Sequence, residues 1–141
     1  MSGFWRNWFV VWCFAIGMFG VVLAGGAFEA ISGPVRLVLA MLRGSSEALF
    51  DAPLRFSLAL LGAVSIGWAV TLYFVIGAAI ALGDRGRPLW NAISAGMVSW
   101  FVIDSSLSIA TGFGLNAVSN LALATMYVVG LIGSGALKRP A

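Results

Sequence analysis

Asp104 is the residue whose chemistry asks for an explanation. It stands in the run from Trp100 to Asn120, where Ser105, Ser106, Ser108, Thr111, Asn116, Ser119 and Asn120 interrupt an otherwise apolar stretch. A carboxylate set among hydroxyls and amides inside a membrane can relay a proton or a cation, or hold a polar substrate. The competing reading is interhelical glue, in which polar contacts of about 0.6 kcal/mol each select the helix faces that meet. Glue is favoured, because a coupled transporter normally carries an internal repeat and a counter-charge, and neither is visible in this sequence.

The rest of the reactive inventory is short. There is no histidine, and Cys13 is the single cysteine. The common ligand sets for structural zinc, haem or copper are therefore missing, as is Ser-His or Cys-His nucleophilic catalysis. No cofactor is expected, and Cys13, lying in an apolar run, reads as a small packing residue. An enzyme is disfavoured because Asp104 and Tyr73 are the intramembrane acid–base groups, and such catalysis usually needs a positioned pair.

The elements that must position Asp104 are helices. On its own helix Gly96, Trp100, Asp104, Ser108 and Thr111 fall on one stripe, with Ser105 and Ser106 beside it. At the helical rise Asp104 lies about 14 Å below the Gly112-Phe113-Gly114 turn, and Asn120 on the next helix about 10 Å below it. Ser65, nine residues past Phe56, is also about 14 Å deep. The expected polar intramembrane site is therefore Asp104, Ser65, Ser105, Ser108, Asn116 and Asn120, with Ser65 and Asn120 as depth-matched partners of the carboxylate.

Composition requires that these helices lie in a membrane. The chain of 141 residues is 61% hydrophobic and 9% charged, with a mean hydropathy of +1.02, against about 25% charged in ordinary soluble domains. A net charge of +3 is spread too thinly for a basic patch, so no nucleic-acid partner is expected. The reading is all-α: one domain over 1–141, with four transmembrane helices at about 8–28, 56–82, 89–111 and 115–137 in an antiparallel bundle. The first run also suits a cleaved signal, but it exceeds the usual ~7–15 apolar residues, so a retained helix is expected. Trp5, Trp8 and Trp12 are then expected in the interfacial aromatic belt.

Between the first two spans, Val35, Val38, Leu39 and Leu42 share one helical face, and Arg36, Ala40, Arg43 and Glu47 the other. This predicts an interfacial amphipathic helix over about 34–47 that starts near Pro34, in preference to a re-entrant segment. Asp51 is expected to cap the second span, with Pro53 in its first turn, Phe50 as a staple and Arg55 as an i, i+4 ion partner. Ala59, Ala63 and Gly67 predict a small-residue packing seam. The Gly83–Pro88 turn lacks the Lys-Ser/Thr ending of a phosphate loop.

Arg6, Arg85, Arg87, Lys138 and Arg139 fall on one side of a four-span topology, and Arg36, Arg43 and Arg55 on the other. The positive-inside rule then puts both termini in the cytoplasm of a multi-pass inner-membrane protein. In length and hydropathy the whole chain resembles small four-helix bacterial inner-membrane proteins of the DoxX-like type, a resemblance that brings no activity or site with it. The expected function is that of a noncatalytic bundle acting as a homo-oligomer or with a membrane-protein partner. The alternative is a small proton- or cation-linked transporter centred on Asp104.

Overall fold

Long apolar runs leave the backbone one inexpensive option in a membrane, a helix that satisfies its own hydrogen bonds. In the computed structural model the helices are α1 (Gly3–Ala24), α2 (Gly33–Arg43), α3 (Ala52–Ala81), α4 (Arg87–Ala110) and α5 (Gly114–Gly133). Residues 1–43 and 49–137 are described. Residues 44–47 of the expected 34–47 helix, Lys138 and Arg139 lie outside them. No strand occurs among the described residues. Four helices, all but α2, are long and apolar enough to cross a membrane, in agreement with a multi-pass helical protein. Against the expected spans, α1 begins five residues earlier, at Gly3, and α5 ends four residues earlier, at Gly133.

The four long helices alternate in direction. The most extensive contact is α1 against α3, the next is α4 against α5, and thinner contacts of α1 with α5 and of α3 with α4 close the ring. The seam expected at Ala59, Ala63 and Gly67, within the chain or between chains, is not the one that joins α1 to α3. Ala63 and Gly67 are exposed, and a Cβ built on Gly67 would meet nothing within 4 Å. The close approach is made by Gly62 instead, whose missing side chain admits the backbone of Gly20 and Ala24. A Cβ on Gly20 would fall 2.9 Å from the Gly62 carbonyl oxygen and the Ile66 amide. Gly62 has Leu58 and Ile66 four residues to either side, so the close approach rests on one glycine and not on the longer run of small residues, and a four-residue repeat alone does not say which face meets the neighbour.

The main core fills the half of the bundle nearer Arg6. Phe9, Trp12, Ile16, Leu72, Ile76, Trp90, Met97 and Tyr127 are buried there. Trp12 is a correction to the expected aromatic belt, since it is 0% exposed and points inward. Its indole Nε1 donates to the Leu123 carbonyl at 3.0 Å, and Trp8 Nε1 donates to the Met126 carbonyl at 2.9 Å. Both indoles thus join α1 to α5.

At the other end α2 begins beside Pro34 and packs its predicted apolar face onto the protein. Val35 joins Leu23 and Leu58 in a second small core, with Leu39, Phe50 and Leu54 against it. The face expected to rest in the bilayer surface is therefore occupied by the bundle, while Leu37 and Met41 on the far side are exposed. Asp51 caps α3 as expected, accepting the Leu54 amide at 2.9 Å, with Pro53 in the first turn. The Asp51–Arg55 pair does not form. Arg55 reaches across to Glu29, the Gly26 carbonyl and the Phe50 carbonyl, and Arg36 also binds Glu29, at 3.0 Å. Phe50 serves less as a staple than as an aromatic platform, with the Arg36 guanidinium 3.9 Å from its ring centroid.

Candidate functional site

The turn between α4 and α5 sets the geometry of the polar cluster. Gly112 takes a left-handed φ of +84°, which a side chain would strain. The Gly112 amide donates to the Ile109 carbonyl at 3.2 Å and the Phe113 amide to the Ser108 carbonyl at 2.8 Å. This paired closure is a Schellman ending, which stops α4 sharply and sends the chain straight back. Asn116 and Asn120, one turn apart on α5, then run down the α4 face that carries Ser108, Ser105 and Asp104.

The contacts follow. Asn120 Nδ2 donates to Asp104 Oδ2 at 2.8 Å and to Ser105 Oγ at 3.2 Å. Asn116 Nδ2 donates to Ser108 Oγ at 2.8 Å and to Asp104 Oδ2 at 3.3 Å. Ser105, Ser108 and Asn120 are buried, and Asp104 is half-buried. All the partners are neutral and all lie within one hairpin. Both amides converge on Oδ2. Oδ1 takes no hydrogen bond among the described residues, and no buried polar side-chain atom there lacks a partner. Oδ1 therefore stays accessible.

Five of the six expected site residues come together, and Ser65 does not. Its hydroxyl donates to the Leu61 carbonyl one turn back at 2.8 Å, a bond that serine makes within its own helix without help from a neighbour. The α3–α4 contact next to this level is aromatic, Trp68 against Trp100 with ring centroids 5.6 Å apart. One turn from Ser65, Leu61 is 53% exposed. Of the remaining stripe residues, Gly96 is exposed and Thr111 bonds to the Leu107 carbonyl at 2.8 Å.

A second polar contact had no counterpart in the sequence reading. Tyr127 and Ser94 share a hydrogen bond of 2.8 Å, with the phenol ring packed among Phe9 and Trp12. The signal for it was weak: one tyrosine and one serine on different helices, with nothing in their spacing to join them. Tyr73, the residue named as an acid–base candidate, is 49% exposed and lies edge-on to Phe74, away from Asp104. Among the described residues no three His, Cys, Asp or Glu side chains gather closely enough to hold a metal ion. What the cluster can do is hold one carboxylate oxygen on two amides and present the other.

No known protein family, curated protein or solved structure matches this chain.

Proposed function

We propose that the chain is a noncatalytic helical bundle of the inner membrane, multi-pass with both termini cytoplasmic, working as a homo-oligomer or as a subunit of a larger membrane complex. The observation that carries the assembly is on the outer face of α4. Ser99 and Ser106, two turns apart, are exposed and make no side-chain hydrogen bond among the described residues. Other hydroxyls of the bundle, those of Ser57, Ser65, Thr71 and Thr111, bond to the carbonyl four residues back. Free hydroxyls facing lipid favour a neighbouring helix that can bond to them, and the small Ala92 and Gly96 on the same side let its backbone approach.

The noncatalytic half of the reading rests on Asp104. Its hydrogen-bond partners among the described residues are the Asn116 and Asn120 amides, with no base or second acid to receive a proton in a reaction. The orientation rests on the count of basic residues along the sequence, Arg6, Arg85, Arg87, Lys138 and Arg139 on one side of a four-span topology against Arg36, Arg43 and Arg55 on the other. Mass measurement after extraction into native nanodiscs tests the assembly. A multimer or a co-purifying membrane protein is expected, lost on Ser99→Leu with Ser106→Leu, and a solitary wild-type monomer overturns it.

The accessible Oδ1 supports a second reading, a proton- or cation-linked permeation module centred on Asp104. Flux in proteoliposomes then depends on pH and drops with Asp104→Asn. Equal flux in wild type, variant and empty vesicles removes that reading.

A further inference from the structure

The outer surface between α1 and α3 is not flat. Two adjoining hollows of about 370 Å³ and 580 Å³ run along it and share Val10 and Tyr73 as walls. The floor is low because Gly17 meets Ala69 there, a built Cβ on Gly17 coming 3.4 Å from the Ala69 Cβ. From Arg6 at one end to Val21 at the other the groove covers about 22 Å at the helical rise. That is deeper than one leaflet of a core about 30 Å thick.

Charge distinguishes the two ends. Arg6, exposed at the mouth, makes no ion pair among the described residues, and the ion pairs found there, Glu29 with Arg36 and with Arg55, are at the opposite end of the bundle. Arg85 and Arg87 stand at the Arg6 end, with Asp84 as the one acid in that turn. We infer that the α1–α3 groove binds an anionic phospholipid, with an acyl chain laid along Gly17 and Ala69 and the phosphate at Arg6. A basic residue at the membrane surface above an apolar slot complements such a lipid in both charge and shape. A second copy packed by two-fold symmetry about the membrane normal fits less well, because it would bring its own Arg6 against this one. The inference concerns a different face from the assembly proposed for α4 and stands independently of it.

Native mass spectrometry of the full chain in mild detergent, with phosphatidylglycerol or phosphatidylcholine added, reads the site directly. Wild type is expected to retain phosphatidylglycerol in preference to phosphatidylcholine. Arg6→Gln should lower phosphatidylglycerol retention about five-fold, the effect of one surface charge, and leave phosphatidylcholine unchanged. Gly17→Leu, which fills the floor, should lower retention of both, while Gly67→Leu on an open face should lower neither. Equal retention of the two lipids by wild type, or an Arg6→Gln variant that binds like wild type, overturns the proposal. A lipid-free dimer that Gly17→Leu dissociates assigns the groove to a second copy and overturns it as well.

Discussion

At the residue scale, the two amides on Asp104 Oδ2 decide what the carboxylate is worth. Hydrogen bonds between membrane helices average about 0.6 kcal/mol and reach about 1.7 kcal/mol, and an oxygen that accepts from two amides at once belongs toward the upper figure. A double-mutant cycle of Asp104→Ala with Asn120→Ala, read by steric-trap unfolding in bicelles, is expected to give a coupling of about 1–2 kcal/mol. A coupling near zero would mean that the 2.8 Å contact carries no stability. Ser65→Ala should stay within about 0.5 kcal/mol of wild type, because that hydroxyl serves only its own helix. The contrast shows how much of the site could be read in the sequence. Helical rise fixes depth, so Asn120 was found by matching its depth to Asp104. Depth says nothing about azimuth, and a serine that can satisfy itself at the carbonyl four residues back gives no sign that it has done so. Tyr127 and Ser94 escaped for the same reason, since their meeting depends on how α4 and α5 are rotated about their axes.

At the element scale, the helices themselves were legible because their apolar length and their caps are local properties. Asp51, Pro53 and the Gly112 turn each sit where the chain places them. The pairing of helix faces was not local. Ala59, Ala63 and Gly67 offer a longer run of small side chains than Gly62, which has Leu58 and Ile66 four residues to either side, and the choice between the two faces is made by Gly20 on α1, some forty residues away in sequence. Gly62→Ala is therefore expected to destabilise the bundle by about 1–3 kcal/mol, the usual cost of overpacking, because its methyl would meet the backbone of Ala24 and Gly20. Gly67→Ala, on the open face, should be neutral or stabilising by up to about 1 kcal/mol through helix propensity. Unfolding of both variants in one bicelle composition checks the pair, and equal effects would mean that the seam is not where Gly62 puts it.

For the whole molecule, the two ends of the bundle differ in what holds them. The Arg6 half is packed with aromatics from α1, α4 and α5, and the opposite half holds the polar cluster and a smaller core under α2. There α2 ties the α1–α3 and α4–α5 pairs together: it contacts α1, the turn after it and α5, while Arg43 lies 5.8 Å from the Phe113 ring that begins α5. Glu29 anchors this strap, because it binds Arg36 on α2 and Arg55 on α3 at once. Single exposed ion pairs contribute little, but one carboxylate that fixes two guanidiniums also fixes the angle between their helices. Glu29→Gln should loosen α2 without unfolding the bundle. In hydrogen–deuterium exchange the amides of α2 and the first turns of α5 are then expected to lose protection, while those around Trp12 and Trp90 in the aromatic half keep theirs. Raising the salt concentration on wild type should move α2 in the same direction, since these side chains are partly exposed and screened. If α2 exchanges no faster in Glu29→Gln, its docking rests on Val35 and Leu39 alone, and the ion pairs only decorate it.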